Sequence, residues 1–384
     1  MSSRLRRLFT AAAVAAIVSA GTSRAPAAAQ DGPLRWTKAA PFPQPEEELY
    51  GTVANGKLYV LGGFGTGGNA PGLVYEYDPA ADRWTKKKDM PVHVHHQAQA
   101  AYNGKLYVFG GCLKGISGEG GTQNAWEYDP VADSWRALAQ MTVKRCSAIA
   151  EEVGGKIYLI GGLEPLENGR GTRVTGLNQM YDPATDTWTT RSPMPTTRNH
   201  AFSGAVNGKI YVIGGRLGAG NIPATTNVDT VEEYDPATNL WGAVKERMPT
   251  PRSGGGYTVC NGRIYAGGGE WITRELYAAF KALEAYDPAT NTWQVLPSLP
   301  GAVHGNAGAF GSETKDVLIG ATLMDLNGDS WTVGNADLSF AYRTSSLQKT
   351  PIVVVSARFR GTPGDRASAV KRIKEIANER IALV

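Results

Sequence analysis

A short constellation of residues recurs five times along this chain of 384 residues. Each copy contains a turn glycine and, seven residues later, the second glycine of a Gly-Gly pair; Tyr-Asp-Pro follows, with a Trp seven residues after the Tyr. The turn glycines are Gly56, Gly104, Gly155, Gly208 and Gly262, and the tryptophans are Trp84, Trp135, Trp188, Trp241 and Trp293. A fixed period of about 50 residues indicates a repeat array whose units stack to share a core.

Each copy predicts four antiparallel strands. In the fourth copy, residues 201–206 and 209–213 flank an Asn-Gly hairpin turn, residues 232–234 form the third strand, and Trp241 lies on the fourth. One sheet of this size cannot cover its own apolar faces, so we expect the sheets to pack radially, with Trp and Tyr supplying much of the buried area.

These motifs resemble the kelch repeat over residues 34 to 304. The resemblance implies an all-β fold, a kelch-type β-propeller. Trp36 lies 48 residues before Trp84 with no Tyr-Asp-Pro ahead of it, so it is interpreted as an orphan fourth strand that closes the last blade. We therefore predict six blades: five complete repeats and a makeshift sixth, followed by a small α+β tail.

The first 29 residues predict a secretory signal peptide. They contain arginines, then an apolar stretch from Leu8 to Ala20, and end on Ala27-Ala28-Ala29. We expect cleavage after Ala29, export to the periplasm or the exterior, and no membrane span in the mature chain; Arg6-Arg7 leaves the twin-arginine route open beside the general one. The predicted divisions are a signal peptide (1–29), a propeller (31–333) and a tail (334–384).

Charge and cysteine usage narrow the function. The formal charge is +4, and residues 1–30 hold four arginines and no acid, so the mature chain is balanced and no nucleic-acid partner is expected. Three cysteines are an odd number for an exported chain. For Cys146 and Cys260 we favour simple packing as small apolar side chains.

Recurring polar positions precede the first strand of each copy, on the face where we expect the binding loops of a propeller. They predict a polar ring around the mouth of the central channel, suited to a carbohydrate or an acidic ligand. Its members are Glu46, Glu48, His95, His96, Arg145, Arg198, His200, Arg252 and His304. In the alternative interpretation, which stays open, each arginine closes its own blade by hydrogen bonding to loop carbonyls.

The histidines of Val-His-Val-His-His suggest a test for metal binding. On a strand, His93 and His95 would share one face and His96 the other. No nearby Cys or carboxylate completes a ligand set, so no metal is expected. Galactose oxidase, a copper enzyme, also has a kelch-type propeller, but the cysteines here do not match the context of its copper site.

The repeat stops at His304. Four segments follow, Gly305–Gly311, Asp316–Gly328, Phe340–Ser345 and Arg358–Asp365. In this order, over about 75 residues, they resemble UDP-N-acetylenolpyruvoylglucosamine reductase, a flavin enzyme. The resemblance implies FAD binding by Asn306, Ala307 and Gly308 and a catalytic role for Arg343. The family's N-terminal flavin motif and its later serine and glutamate are missing, so no cofactor is expected; FAD would bind only if this resemblance were functional.

The C-terminal residues also predict structure. Residues 315–333 align with a second strand and the strand after it, so we expect them to supply strands of blade six, closed by residues 34–37. Residues 352–359 alternate as a strand, and Asp365 can cap a helix over residues 366–381.

The chain is therefore interpreted as an exported binding or scaffolding module for a protein or a carbohydrate. The alternative is an exported propeller enzyme, similar to galactose oxidase or to a sugar isomerase. A flavin-dependent reductase is a third interpretation, on an incomplete fragment.

Overall fold

A computed structural model describes twelve segments of the chain: residues 36–44, 47–64, 70–113, 120–166, 171–218, 226–272, 277–299, 308–309, 312–313, 318–325, 329–338 and 352–359. The predicted signal peptide and the predicted helix over 366–381 lie outside these residues. The described part contains no helix long and apolar enough to cross a membrane.

Five four-stranded antiparallel sheets, each with its strands in chain order, form the five blades of an all-β propeller. Blade one contains β1 (Glu47–Ala54), β2 (Lys57–Phe64), β3 (Leu73–Asp78) and β4 (Arg83–Lys86); blade two contains β5 (Ala98–Tyr102), β6 (Lys105–Phe109), β7 (Ala125–Asp129) and β8 (Ser134–Ala137). Blade three contains β9 (Ile149–Val153), β10 (Lys156–Ile160), β13 (Asn178–Asp182) and β14 (Thr187–Arg191), with a β11 (Leu163–Pro165) and β12 (Thr172–Val174) hairpin between its middle strands. Blade four contains β15 (Phe202–Val206), β16 (Lys209–Ile213), β17 (Val231–Asp235) and β18 (Leu240–Trp241); blade five contains β19 (Gly256–Cys260), β20 (Arg263–Gly267), β23 (Leu283–Asp287) and β24 (Thr292–Leu296), with a β21 (Glu270–Ile272) and β22 (Tyr277–Ala279) hairpin.

The predicted hairpin turns join the first two strands of every blade. In blade one, Asn55 and Gly56 both have positive φ, 51° and 74°, as a two-residue turn between right-twisted strands requires. Because successive strands run in opposite directions, the first-to-second and third-to-fourth connections share one end of the blades, the turn face. The second-to-third connections and the links between blades share the other end, the loop face.

The core consists of apolar layers between neighbouring blades. Between blades one and two, Tyr59 and Leu61 of β2 pack against Leu106, Val108 and Tyr128 of the next sheet. Equivalent layers join blades two and three, three and four, and four and five. Each sheet buries its faces only by stacking on its neighbours, which is why the repeat folds as an array.

A repeated polar contact ties each blade to the segment that follows the preceding blade. In blade two, Asp133 accepts hydrogen bonds from the Tyr128 hydroxyl and, at 2.9 Å, from the backbone N–H of Lys88, while Trp135 donates to the Lys88 carbonyl at 3.1 Å. The other blades make the same three contacts through Asp82, Asp186, Asn239 and Asn291 with their Tyr and Trp. The Tyr and Trp of the motif therefore set the contact between blades as well as filling the core.

The segment around Trp36 takes part in the same series. Ala40 accepts a hydrogen bond from Trp84 of blade one, as Lys88 does from the tryptophan of blade two. The Trp36 indole N–H donates to the Ser298 carbonyl, 2.9 Å away, five residues beyond Trp293 of blade five. The segment thus links blade five to blade one, although residues 36–40 form no strand.

The prediction of six blades is wrong: the described residues contain five. Residues 318–359 instead contribute a three-stranded sheet in the order β28, β27, β29, with β27 spanning Leu318–Asp325 and β28 Ser330–Gly334. The strand predicted over residues 352–359 is confirmed as β29 (Ile352–Phe359). β29 pairs with one edge of β27, from Leu318 to Asp325, and β28 pairs with the other edge. Residues 36–37 therefore do not pair with β27. A short pair, β25 (Gly308–Ala309) with β26 (Ser312–Glu313), and a 3₁₀ helix (Asn335–Leu338) complete the described elements.

The expectation that Cys146 and Cys260 pack as isolated side chains is also wrong. Cys146 forms a disulfide bond with Cys112, with their Cα atoms 5.5 Å apart, and Cys260 is exposed. Cys112 follows β6 in blade two, and Cys146 precedes β9 in blade three. The bond therefore joins two neighbouring blades at the loop face.

Candidate ligand-binding site

The candidate site forms where the first strands of the blades begin, at the loop face. One residue at this point in every blade has a left-handed backbone: Glu48, His96, Ser147, His200 and Gly254, with φ between 51° and 64°. Three of them, Glu48, His96 and His200, are members of the polar ring predicted from the sequence.

Backbone hydrogen bonds connect these positions from blade to blade. Ser147 donates to the carbonyl of His96 at 2.8 Å, His200 to that of Ser147 at 3.1 Å, and Gly254 to that of His200 at 2.9 Å. The series follows the innermost strands, and the side chains at these positions consequently meet near the propeller axis.

We call six side chains that meet there the mouth: Glu48, His95, His96, His200, Arg216 and Glu270. Four of them were predicted from the sequence. The rings of His95 and His200 each lie 4.8 Å, centroid to centroid, from the ring of His96. Four blades contribute, so a ligand at the mouth would contact residues far apart in the chain.

The partners of His96 define the direction of its hydrogen bonds. Its Nε2 lies 3.3 Å from Oε2 of Glu48, an acceptor, which favours the tautomer with the proton on Nε2. Its Nδ1 then accepts from Nδ1 of His95, 2.5 Å away. The result is a short relay from His95 through His96 to the Glu48 carboxylate.

Arg216 organises the other half of the mouth. Its Nη1 pairs with Glu270 at 2.5 Å, its Nη2 donates to Nε2 of His200 at 2.9 Å, and its Nε donates to Oδ1 of Asn199 at 3.3 Å. Because Nε2 of His200 accepts, the proton of that ring resides on Nδ1, which donates to Asn199. Every nitrogen of the guanidinium therefore has a partner within the protein.

Burial keeps the histidines of the mouth neutral. It lowers the pKa of His95 to about 4 and holds the pKa values of His96 and His200 well below the ordinary value, with the Arg216 charge acting in the same direction on the latter two. At neutral pH these rings therefore carry no positive charge.

The three arginines predicted for the polar ring lie inside their blades. Arg145, Arg198 and Arg252 are at most 1% exposed. Arg198 donates to the carbonyls of Thr196 and Val212 and pairs with Glu232 at 2.5 Å.

The other two arginines follow the same scheme. Arg252 bonds the carbonyls of Thr250, Ala266 and Gly268 and pairs with Glu284. Arg145 reaches the Leu177 carbonyl and the Gln179 side chain. These contacts favour the interpretation in which each arginine closes its own blade.

The remaining predicted positions are not brought to the mouth within the described residues. Glu46, His304, Asn306, Ala307 and Arg343 lie outside those residues, and Gly308 begins β25.

The histidine motif also differs from its prediction. Residues 91–97 form no strand beyond a single bridge at His95, and the left-handed turn at His96 brings its ring against His95 instead of to the opposite face. Among the described residues, no group of three or more His, Cys, Asp or Glu side chains is arranged to hold a metal ion.

Sequence reasoning missed Arg216 and Glu270. Each directly follows the Gly-Gly pair of its copy, at the position held by Cys112 in blade two and Leu163 in blade three. An isolated bridge places this position beside the residue that precedes the left-handed one, as for Ser253 and Glu270. A comparison of the residues that follow each Gly-Gly pair would have found Arg216 and Glu270, because the side chain at this position varies while the two glycines before it do not.

Comparison with known proteins agrees with this architecture. The Kelch motif model matches residues 51–91, 100–142, 144–195, 197–244 and 251–300, which together make up more than half of the chain. The chain belongs to the kelch-repeat family.

Several curated kelch proteins are similar to it. Kelch-like protein terF of Aspergillus terreus is 34% identical over 187 residues, covering 47% of this chain and 39% of that protein. Human Kelch-like protein 23 is 29% identical over 271 residues, covering 70% and 45%, and alpha-scruin of Limulus polyphemus is 30% identical over 188 residues, covering 48% and 20%. The chain thus spans less than half the length of each of these relatives.

Among solved structures, that of YjhT aligns with a TM-score of 0.55 and 19% sequence identity, covering 76% of this chain and 94% of that one. At this identity the likeness concerns the fold alone. The comparisons do not show the reductase-like fragment after residue 304, so that resemblance stays a prediction.

Proposed function

We propose that this kelch protein is an exported binding module that holds a protein partner at the loop face, with the mouth at the centre of the contact. The observation that carries the proposal is the convergence of polar side chains from four blades on one point of the axis. Kelch repeats typically mediate protein binding, and this propeller fits such a module.

The mouth has the composition of a recognition site. Its histidines and carboxylates are held in fixed orientations by their neighbours, for example His96 by Glu48. The pairs of His96 with Glu48 and of Arg216 with Glu270 join different blades, whereas the contacts of Arg198 and Arg252 stay within one blade. Polar groups that are oriented but not used by the core are suited to a ligand.

Exposed apolar side chains also lie on the loop face. Leu113, Leu217 and Trp271 each stand two residues after the Gly-Gly pair of their copy, and their side chains are 44%, 43% and 39% exposed. We call these three residues the rim. A polar centre with apolar surroundings is suited to a protein surface that contributes both kinds of contact.

The disulfide and the leader support export. Disulfide bonds persist in oxidising compartments and are rare in the cytosol, and the bond between Cys112 and Cys146 accompanies an N-terminal segment with the pattern of a signal peptide. Expression of the whole coding sequence, followed by cell fractionation and N-terminal sequencing, tests this part. We expect exported protein that begins at Gln30; uncleaved protein in the cytoplasm would contradict it.

Partner binding is tested by comparing two faces of one molecule. A rim variant, Leu217→Ser with Trp271→Ala, and a turn-face variant, Val131→Ser with Val53→Ser, each replace two exposed apolar side chains. Proteins captured from the exported fraction of the source cells are quantified by mass spectrometry, and a glycan array is run with the same three proteins.

We expect the wild type and the turn-face variant to retain the same partner and the rim variant to lose it at least tenfold. Equal retention by both variants would place binding away from the loop face. Binding on the glycan array alone, lost in the rim variant, would replace a protein partner with a carbohydrate at the same site.

A further inference from the structure

The disulfide bond lies next to the residues that place two histidines of the mouth. The backbones of His95 and Cys112 exchange two hydrogen bonds, of 3.1 and 2.8 Å, as a single antiparallel bridge. Cys146 directly precedes Ser147, whose N–H donates to the carbonyl of His96 at 2.8 Å. Both cysteines of the bond are therefore connected to the mouth through the backbone.

These connections form a closed cycle. The disulfide joins Cys112 to Cys146, and a peptide bond joins Cys146 to Ser147. A hydrogen bond leads from Ser147 to His96, and His95, the preceding residue in the chain, closes the cycle on Cys112. Because each member has a link on both sides, neither histidine can shift far without breaking a link of the cycle.

The covalent link matters here because the loops contain little regular structure. His95, Cys112 and Cys146 each pair through isolated bridges and not through the strands of a blade. Isolated backbone hydrogen bonds open locally more readily than those inside a sheet. The disulfide does not open in such fluctuations, so it keeps the two loops together while the hydrogen bonds break and form again.

The burial of the bond indicates a permanent role. Cys112 is 1% exposed and Cys146 is 2% exposed, and both pack with Leu163 and Val174. Exchange with a thiol in solution requires access to one of the sulfur atoms. The bond is therefore suited to fixing the loops and not to switching them.

The other half of the mouth has an ionic counterpart to this bond. The backbones of Asn199 and Arg216 exchange two hydrogen bonds, of 3.1 and 3.0 Å, as those of His95 and Cys112 do. Arg216 pairs with Glu270 of blade five at 2.5 Å. The loop after the Gly-Gly pair of blade four is thus tied to the next blade by an ion pair.

The contacts of blade five complete a second cycle. The N–H of Glu270 donates to the Ser253 carbonyl at 2.7 Å, and Gly254, the next residue, donates to the carbonyl of His200 at 2.9 Å. Arg216 and Cys112 hold the same position after their Gly-Gly pairs. The ion pair and the disulfide therefore make corresponding connections on two sides of the mouth.

We propose that the bond between Cys112 and Cys146 positions the mouth: it holds His95 and His96 in the arrangement that binds the partner, as the pair of Arg216 with Glu270 does for His200. This inference rests on the proposed function and adds two positioning residues to its site.

Hydrogen exchange of the full chain, measured by mass spectrometry, tests the positioning. In Cys112→Ala with Cys146→Ala, we expect peptides that contain His95 and Ser147 to exchange at least tenfold faster than in the wild type. Peptides that contain Arg216 and Gly254 should change less than twofold. Peptides from β6 and β10 should stay the most protected, which shows that blades two and three remain folded. Cys112→Ser with Cys146→Ser is measured beside it and should give the same result.

Two further variants separate positioning from general stability. Glu270→Gln weakens the ion pair and should give the reciprocal result, at least fivefold faster exchange at Arg216 and Gly254 with His95 unchanged. Asp133→Ala is the matched control, because it removes a contact between blades at the turn face. It should leave exchange in both halves of the mouth unchanged.

Partner retention connects the positioning to binding. In the capture experiment described for the rim variant, the double alanine variant should retain at most one fifth of the partner that the wild type retains. Asp133→Ala should retain all of it. This comparison shows whether a loss of binding comes from the loops of the mouth or from a less stable propeller.

The outcomes distinguish this inference from the function beneath it. Unchanged exchange at His95 and Ser147 in both double variants overturns it, as does faster exchange that Asp133→Ala reproduces in the same peptides. Faster exchange with full retention of the partner also overturns it, and the proposed function then stands if the rim variant still loses the partner. Full retention by the double variants and by the rim variant contradicts the inference and the proposed function together.

Discussion

Glu151 of β9 occupies a place where an ionised carboxylate is disfavoured. It faces blade four, and the hydroxyl of Ser203 donates to it at 2.6 Å. Burial raises its pKa to about 7, and the neighbouring Glu152 adds to the rise, which the hydrogen bond from Ser203 reduces. Protonation of this single group therefore changes close to neutral pH.

The sign of the effect on stability follows from proton binding. Between the ordinary pKa of a glutamate and about 7, the native state holds the proton that the unfolded chain has released, so stability falls as pH rises through this window. Glu151→Gln removes the effect. We expect the variant to match the wild type near pH 5 and to exceed its free energy of unfolding by about 2 kcal/mol at pH 8.

Urea denaturation at pH 5, 6, 7 and 8 measures this difference. Glu152→Gln is the control, since it alters the neighbouring carboxylate, which bonds the backbone N–H of Gly155 at the turn. A difference between Glu151→Gln and wild type that is constant across pH would contradict the assignment.

Arg198 exemplifies the role of the buried arginines. Removing its guanidinium leaves the Glu232 carboxylate, 3% exposed, without its charge partner and the Val212 carbonyl without its donor. We expect Arg198→Met to lower the free energy of unfolding by about 3–5 kcal/mol, as measured by urea denaturation. The control, Arg247→Met, breaks an exposed pair with Asp229 and should cost less than about 1 kcal/mol.

The double variant Arg198→Met with Glu232→Leu sharpens this test. Because it removes the buried carboxylate as well, it should be more stable than Arg198→Met alone. Equal losses for Arg198→Met and Arg247→Met would show that the ion pair does not hold blade four together.

At the scale of elements, the contact between blades depends on one residue in a left-handed conformation. Asp133 has φ of 47° and accepts from both Tyr128 and the backbone of Lys88. Asp133→Ala removes the shared acceptor and places a residue without a stabilising side chain in this strained region. We expect a loss of about 2–3 kcal/mol in the free energy of unfolding.

The equivalent residues of two other blades indicate the control for that substitution. Blades four and five use Asn239 and Asn291 at the same position with the same contacts. Asp133→Asn should therefore cost less than about 1 kcal/mol in the same denaturation experiment. An Asn variant as unstable as the Ala variant would mean that charge, and not the shared hydrogen bonds, holds the blades together.

The strands were predictable because each is encoded by local signals. Asn-Gly turns, alternation and fixed Tyr and Trp spacings placed the four strands of every blade. The recurring polar positions included Glu48, His96 and His200, which have left-handed backbones in the structure. The arginines could not be placed in the same way. A spacing in the sequence gives a residue's position along the chain, whereas the carbonyl that Arg198 contacts inside the blade belongs to Val212, 14 residues further on, in β16.

At the scale of the molecule, what escaped prediction involves contacts between blades. The pair Arg216 and Glu270 joins blades four and five, and the bond between Cys112 and Cys146 joins blades two and three, across 34 residues. Neither pairing has a local signal, since each depends on how neighbouring loops meet after the ring forms. The prediction of a sixth blade failed for a related reason: residues 315–333 were expected to supply strands of that blade, whereas the long-range pairing of β27 with β29 places β27 in a three-stranded sheet of its own.

The disulfide provides a test of how far the ring depends on a covalent link between blades. Closing a loop of 34 residues restricts the unfolded chain, and the chain-entropy estimate for that length is about 4 kcal/mol. We expect Cys112→Ser with Cys146→Ser to lower the free energy of unfolding by about 2–4 kcal/mol, measured by urea denaturation without reductant.

Cys260→Ser is the matched control, because that thiol is exposed and unpaired with the other two cysteines, and its loss should leave stability unchanged. Reductant should destabilise the wild type toward the double variant and leave the double variant unaffected. If reductant instead lowers the stability of both equally, the bond does not contribute. If it lowers neither, the apolar and hydrogen-bonded contacts between blades two and three suffice without it. Either result would show that the stability of the propeller does not depend on this covalent link between blades two and three.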